Sequence, residues 1–281
     1  DINRKCLNIH NGINITNEFL DAVKDDEDWR LIDPKSGEAV KIISARDLWW
    51  QMLNARAETG EPYMINIDTC NEHLPKEQKD LGLKVHQSNL CSEIVLATNE
   101  ERTAVCCLSS VNLEHFDKWK KNEQFIGDLI TMLDNVLEHF IEAIVDTSKL
   151  GGYSANFERF KKYVREEKEG LLKAAYSAYR ERSVGLGAMG FHALLQSQDL
   201  PFQGLRSTSI NNVAFSHIKD RSMAATKRLA NERGEAPDIH SSGKRNAHLL
   251  AIAPNASSCL LYTSDAADDS LRVDLGGRRI I

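Results

Sequence analysis

Three side chains that could do chemistry alternate along one short segment of the chain. Asn89, Cys91 and Glu93 place an amide, a thiol and a carboxylate at every second position. In an extended backbone successive side chains point to opposite faces, so these three would project in one direction. The row combines a hydrogen-bonding group, a redox-capable sulfur and a possible general base. It predicts one-electron chemistry on a polyol-like substrate.

A second cysteine of interest lies in a segment that is apolar enough to form a short strand. Residues 103–110 include Cys106 and Cys107, and a loop between two strands could bring Cys106 close to Cys91. Free cysteine often behaves as a small buried hydrophobe, so a core position for Cys106 is the alternative.

A possible phosphate site follows the apolar residues 249–253. A strand that enters a turn of small, hydroxylated residues exposes consecutive backbone N–H groups, which can bind phosphate oxygens. An ordinary turn is the alternative interpretation of the same residues. The turn consists of Pro254, Asn255, Ala256, Ser257 and Ser258.

Gly185, Gly187 and Gly190 satisfy the spacing of a dinucleotide-binding fingerprint. That fingerprint also needs a preceding strand and an acidic residue about 20 positions further on, at the end of a second strand. Around position 210 the sequence supplies neither the acidic residue nor the second strand. We therefore interpret the glycines as positions where a strand or a helix turn packs closely against its neighbours.

The overall composition excludes several classes of protein. A formal charge of −6 argues against a general nucleic-acid-binding surface. No apolar run is long enough for a membrane span and no signal peptide is apparent, so we expect a cytoplasmic protein.

The six cysteines are too sparse for a secreted disulfide framework. Cys70 and His73 have the spacing of a ligand pair, but no second pair completes a zinc site, so we predict no metal.

The elements that position these residues alternate between helix and strand, which predicts an α/β fold. We expect a hairpin turn at residues 33–37, a helix from the N-cap Ser44 to Gly60, and a short strand at residues 63–67. Apolar spacing predicts helices over residues 16–25 and 125–144, and a further helix is expected over residues 212–232. We interpret His139 as a helix-surface or packing residue. The charged residues 159–169 predict a solvated helical face or an insertion.

Four segments together resemble the large, catalytic subunit of ribonucleotide reductase. They are residues 88–94, 104–113, 182–187 and 245–258, and they occur in the order in which the family has them. The resemblance implies the α/β fold of this family, a ten-stranded barrel, present here in part. It places Cys91 and Glu93 on a loop inside the barrel.

The resemblance also implies a role for each candidate residue. Cys91 matches the cysteine that becomes a thiyl radical, Glu93 the general base for the 3′-hydroxyl, and Asn89 the amide that orients the ribose. Cys106 matches one member of the redox-active dithiol, whereas Cys107 has no assigned role and is interpreted as structural. The turn at residues 254–258 matches the binding site for the substrate diphosphate.

The implied partners belong to a class I ribonucleoside-diphosphate reductase. This segment would bind no cofactor itself, since a metal-containing small subunit supplies the radical, and ATP or dNTP effectors act on the full-length protein. Thioredoxin or glutaredoxin would reduce the disulfide, and the full-length protein would be a homodimer. A cobalamin-dependent, class II reductase is the alternative, as is a non-catalytic nucleotide-binding module on the same barrel.

The sequence also departs from the family pattern. The second redox cysteine, the C-terminal tyrosine pair and the shuttle cysteines have no counterpart, so we interpret the chain as an interior fragment that is inactive when isolated. Residues 1–258 would form a partial barrel domain. Residues 259–281 lack any helical or strand period, and we interpret them as a non-native tail from sequencing-adapter read-through.

Overall fold

The computed structural model of the chain describes residues 9–144 and 170–255. The predicted helical face or insertion at residues 159–169 and the predicted non-native tail at residues 259–281 lie outside these ranges. The chain divides into two compact units, Asp1–Glu100 and Glu101–Ile281. Each unit is described by itself below.

The first unit contains two pairs of short strands. β1 (Gly12–Ile15) pairs in parallel with β4 (Tyr63–Asn66), and β2 (Asp28–Ile32) pairs antiparallel with β3 (Ala39–Ser44). At the turn between β2 and β3, Asp33 Oδ1 accepts a hydrogen bond of 2.7 Å from the Lys35 backbone N–H. The predicted hairpin is therefore confirmed.

Within residues 9–100 four helices accompany these strands: α1 (Asn17–Asp25), α2 (Ala45–Thr59), α3 (Ile67–Glu72) and α4 (Lys76–Asp80). Ser44 caps α2 by accepting a hydrogen bond of 3.2 Å from the Asp47 N–H. Gly60 ends the helix in the left-handed conformation that glycine adopts without strain. Both predicted ends of α2 are thus confirmed. This unit has two buried apolar clusters: Ile15, Phe19, Ala22, Ala45 and Met52 form one, and Ile67, Leu74 and Val85 form the other.

The second unit is organised around parallel strands. β5 (Leu108–Asn112) pairs in parallel with β6 (Gly185–Met189), and Leu186 forms a parallel bridge to Leu250. Parallel neighbours need helical crossovers, so this arrangement confirms the predicted α/β class. The helices among its described residues are α5 (Phe116–Trp119), α6 (Phe125–Ile144), α7 (Gly170–Glu181), α8 (Phe191–Gln196) and α9 (Leu205–Arg233).

Two predicted boundaries in this unit are wrong. The strand expected over residues 103–110 begins only at Leu108, because the Thr103 N–H donates to the Lys173 carbonyl on α7 and not to a neighbouring strand. The helix expected from residue 212 begins at Leu205. Its first turn has an exposed Leu205 followed by Arg206, Ser207 and Thr208, so apolar spacing does not reveal it. The Thr208 hydroxyl donates to the Gly204 carbonyl at 3.0 Å in this turn.

The glycines of β6 allow neighbouring chain segments to pack closely. A Cβ atom on Gly185 would lie 2.8 Å from Ala251 Cβ, and one on Gly187 would overlap the Ala251 carbonyl oxygen. Gly185 and Gly187 lie inside the strand and not in a loop after one, as a dinucleotide site would require. The structure therefore agrees with close packing as their explanation.

We expect Gly187→Ala to destabilise the protein by about 1–3 kcal/mol, because the added methyl group overlaps backbone that cannot rotate away. The shift of the urea denaturation midpoint measures this. Gly12→Ala is the matched control, since a Cβ at Gly12 in β1 has no atom within 4 Å. Equal midpoints for the two variants would contradict the packing argument.

Helix α6 contributes five buried apolar residues to the core of the second unit. Its buried positions recur at helical spacing, as the apolar period predicted, and the helix packs against β5, α7 and α9. His139 is exposed on this helix, which also confirms its predicted surface position. Within the residues that the structure describes, no helix is both long and apolar enough to span a bilayer.

One charged residue interrupts the buried stripe of α6. Asp134 is fully buried; its Oδ1 accepts from Arg182 Nε at 2.8 Å and from Asn246 Nδ2 at 3.1 Å. Its Oδ2 accepts from Arg233 Nη1 at 3.0 Å and lies 3.4 Å from Arg245 Nε. Burial alone would raise the pKa of Asp134, but Arg182, Arg245 and Asn246 together hold it below its usual value. We call Asp134, Arg182, Arg233, Arg245 and Asn246 the Asp134 cluster.

Candidate active site

The loop that carries Cys91 is irregular but well anchored in the first unit. Asn71 on α3 holds its start, donating from Nδ2 to the Val85 carbonyl at 3.0 Å and accepting the Val85 N–H at 2.8 Å. Asn14 on β1 donates to the His86 carbonyl at 2.7 Å. Four apolar side chains of the loop are buried: Val85, Ile94, Leu96 and Ala97. These contacts fix the loop on β1 and α3.

Between Asn89 and Ile94 the backbone folds back on itself. The Asn89 N–H donates to the Ile94 carbonyl at 3.3 Å, and the Ser92 N–H donates to the Asn89 carbonyl at 3.1 Å. The Ile94 N–H donates to Asn89 Oδ1 at 3.1 Å. The predicted extended row of side chains is therefore wrong. Asparagine side chains bond nearby backbone and so favour turns, a local effect that strand alternation ignores.

The three candidate side chains nevertheless occupy one short turn. Cys91 is exposed, Asn89 and Glu93 are partly buried, and the Cys91 thiol is free of any disulfide. Glu93 Oε2 is a buried atom without a hydrogen-bond partner in the described part of the chain. A buried acceptor of this kind can bind a hydroxyl donor from a ligand.

Asn89 has one side-chain atom committed to the turn itself. Its Oδ1 accepts the Ile94 N–H, so any hydrogen bond from Asn89 to a ligand would come from the Nδ2 amide group. The residue therefore shapes the turn and can also present a donor to a ligand beside Glu93.

Cys106 and Cys107 differ sharply in environment. Cys106 is exposed, so the alternative of a core position for Cys106 is wrong. Cys107 is 7% exposed in the core of the second unit and its Sγ lies 3.5 Å from the Leu133 carbonyl. Burial, with added effects from Asp134 and Cys106, raises the pKa of the Cys107 thiol. A protonated, buried thiol is a poor nucleophile, which agrees with a structural role for Cys107.

The predicted phosphate turn is described only at its start. Pro254 is exposed and Asn255 donates from Nδ2 to the Ala253 carbonyl at 2.8 Å. Ala256, Ser257 and Ser258 lie outside the described residues. The phosphate interpretation of this turn therefore stays a prediction.

A histidine that sequence reasoning missed lies near the start of the segment leading to this turn. His248 Nδ1 is 2.9 Å from the Ser183 hydroxyl, which donates to Glu181 at 3.2 Å. Because Ser183 has one proton to donate, Nδ1 carries the histidine hydrogen. Burial, with a smaller effect of Lys244, lowers the pKa of His248 to about 4. At neutral pH the ring is uncharged and helps to fix residues 181–183 beside residue 248.

The two compact units carry different parts of the predicted site. Asn89, Cys91 and Glu93 lie in the first unit, whereas Cys106 and the start of the phosphate turn lie in the second. Within residues 9–144 and 170–255, no group of three or more histidine, cysteine, aspartate or glutamate side chains is placed to hold a metal ion.

Comparison with known proteins identifies the family. The family model for the barrel domain of ribonucleotide reductase matches residues 2–242. A Frog virus 3 protein named as a ribonucleoside-diphosphate reductase large subunit is 46% identical over 262 residues, 93% of this chain and 42% of that protein. The large subunit of Invertebrate iridescent virus 3 is 45% identical over 244 residues, 87% of this chain and 35% of that protein.

A solved structure agrees with these sequences. The alpha subunit of the class Id ribonucleotide reductase of Actinobacillus ureae superposes with a TM-score of 0.71 at 29% identity, covering 95% of this chain and 47% of that one. The chain belongs to the ribonucleotide reductase family, in the large-subunit branch. The predicted partial α/β barrel is confirmed, and the chain spans less than half the length of the relatives it matches.

Proposed function

We propose that this chain forms the catalytic barrel of a class I ribonucleoside-diphosphate reductase. The observation that carries the proposal is the turn at residues 89–94, where an exposed thiol lies two residues from a carboxylate with a buried, unpartnered oxygen. A sulfur reached by substrate and an acceptor for a substrate hydroxyl are the two groups that radical reduction of a ribose requires.

In the proposed reaction each residue has one task. Cys91, as a thiyl radical, takes the 3′ hydrogen of the ribose, and Glu93 accepts the proton of the 3′-hydroxyl. Asn89 orients the ribose through its amide donor. Cys106 and a second cysteine provide two electrons and protons as the 2′-hydroxyl leaves as water, and the two sulfurs close a disulfide.

The proposal extends to the partners of the protein. A metal-containing small subunit supplies the radical, and thioredoxin or glutaredoxin reopens the disulfide by thiol exchange. The turn from Pro254 to Ser258 holds the substrate diphosphate through backbone N–H groups. ATP and dNTP effectors, a homodimeric full-length protein and a cytoplasmic location complete the proposal.

Turnover by the full-length protein tests this function. We expect the protein, mixed with its small subunit and a dithiol, to convert ribonucleoside diphosphates to 2′-deoxyribonucleoside diphosphates, measured by chromatography. We expect no product from the purified 281-residue chain, because an exposed Cys91 radical is open to quenching by solvent species.

Each other outcome points to a defined alternative. Turnover that needs cobalamin and no small subunit would replace the class I proposal with a class II reductase. Nucleotide binding without any turnover would favour a non-catalytic binding module. Product formed by the 281-residue chain alone would refute the predicted inactivity of the isolated chain.

A further inference from the structure

The second unit contains a cavity with a wall rich in arginine. Its volume is about 940 Å³, within the range of roughly 300–1,000 Å³ that small-molecule sites occupy. The wall is formed by α6, the last turn of α7, the end of α9 and the segment that follows α9. Four arginine side chains line it: Arg180, Arg182, Arg233 and Arg245. We call it the arginine cavity.

Two carboxylates also line the arginine cavity, and both are engaged by the protein. The oxygens of Glu235 accept backbone N–H groups of the loop that follows it, at 2.6 and 2.5 Å. Glu138 Oε2 is shared between two arginines, since it lies 2.7 Å from Arg182 Nη1 and 3.6 Å from Arg245 Nη2. Neither carboxylate is therefore available to neutralise Arg233.

Two further carboxylates lie behind the wall. The buried Asp134 is shared by the three arginines of the Asp134 cluster. The buried Asp238 is shared by Arg102 and Arg180. Five guanidinium groups thus meet four carboxylates around the cavity, which leaves an excess of positive charge. In a concave site with low-dielectric walls, such an excess attracts anions more strongly than it would on an open surface.

Arg233 has N–H groups that the protein leaves unused. Its Nη1 donates to Asp134 at 3.0 Å and to Asn135 Oδ1 at 2.7 Å. Its Nε and Nη2, and the Nδ2 group of Asn135, donate to no atom within residues 9–144 and 170–255. The Arg233 side chain is 35% exposed and Asn135 is exposed, so a ligand in the cavity can reach both. Guanidinium and amide N–H groups of this kind bind phosphate oxygens.

We propose that the arginine cavity binds a small molecule that carries at least two phosphate groups. Its oxygens accept hydrogen bonds from Arg233 and Asn135, and the excess positive charge of the wall attracts it. The size of the cavity and the spread of arginines across its wall favour several phosphate groups over one. The inference goes beyond the proposed function, because none of the lining residues belongs to the turn at residues 89–94 or to the turn at residues 254–258.

Hydrogen exchange of the full-length protein, measured by mass spectrometry, tests this site with inorganic tripolyphosphate as the probe. We expect the probe to slow exchange in residues 233–243, which form one side of the cavity. We expect inorganic phosphate at the same concentration to protect these residues much less. The local measurement separates the arginine cavity from other phosphate sites of the full-length protein.

Two isosteric changes alter the charge of the cavity and keep its hydrogen-bond acceptors. Asn135→Asp adds a negative charge and still accepts from Arg233, so we expect the tripolyphosphate concentration for half-protection to rise about tenfold. Glu138→Gln removes a negative charge and still accepts from Arg182, so we expect that concentration to fall about tenfold. Asn212→Asp is the control, because Asn212 is exposed on α9 and does not line the cavity. We expect it to leave protection unchanged.

Several results would overturn the proposal. One is the absence of protection at residues 233–243 in the wild-type protein, and another is equal protection of the wild type and Asn135→Asp. Equal protection by phosphate and tripolyphosphate would overturn the assignment to a ligand with several phosphate groups. The urea midpoint of each variant is measured in parallel. If Asn135→Asp lowers that midpoint, Glu138→Gln decides, and an unchanged half-protection concentration in that variant would overturn the proposal.

Discussion

Replacing Cys91 with serine is expected to abolish nucleotide reduction by the full-length protein, by at least about 10³-fold in turnover. Serine has nearly the same shape, but its O–H bond is too strong for the hydroxyl to replace the thiol as a radical. The turn is held by the Asn89, Ser92 and Ile94 backbone and by Asn89 Oδ1, none of which the change touches. Binding of ribonucleoside diphosphate should therefore persist.

Turnover and calorimetric binding together measure this effect. Cys70→Ser is a suitable control, since Cys70 is a free, partly buried thiol at α3 in the same unit and outside the turn. We expect that control to keep its turnover. Normal turnover by the Cys91 variant would remove this thiol from the chemistry and, with it, the basis of the proposed mechanism.

Replacing Asp134 with alanine is expected to destabilise the second unit by about 3–5 kcal/mol, the cost of breaking a buried ion pair by removing one partner. Without this carboxylate, Arg182, Arg233 and Arg245 would face one another with less compensating charge. Arg245 has a pKa lowered by burial and then by Arg182, so this repulsion already exists in the intact protein. Denaturant unfolding monitored through Trp119 reports on this unit.

Asp128→Ala is the matched control for Asp134, because Asp128 lies exposed on the same helix. We expect it to cost about 0.3–1 kcal/mol through the helix dipole. The stabilisation by Asp134 is fully present above its unfolded pKa, near 3.8, and is lost as pH falls through its lower folded pKa. Equal effects of the two changes would show that the Asp134 cluster contributes little to stability.

Much of the fold could be predicted from local patterns. The ends of α2 depend on Ser44 and Gly60, which act within a few residues of their own positions. The long helix α6 depends on apolar spacing, which is equally local. The start of β5 could not be predicted this way, because the Thr103 N–H is engaged by α7, 70 residues further along the chain.

The candidate site was also predicted only in part. The residue types at Asn89, Cys91 and Glu93 indicated the chemistry, but strand alternation gave the wrong local geometry, because Asn89 closes a turn with its own side chain. Asp134 could have been found as a charged residue within the apolar stripe of α6.

The Asp134 cluster also bears on how the second unit folds. Its hydrogen bonds join residues that are 48, 99 and 111 positions apart in the chain. Contacts of such long range form slowly, since closing each loop loses chain entropy before the contact stabilises anything. During synthesis Asp134 precedes Arg182, Arg233 and Arg245, so the cluster cannot be complete until Asn246 has been made. We therefore expect completion of this cluster, and with it the full compensation of the buried Asp134 charge, to be a late event in the folding of the second unit.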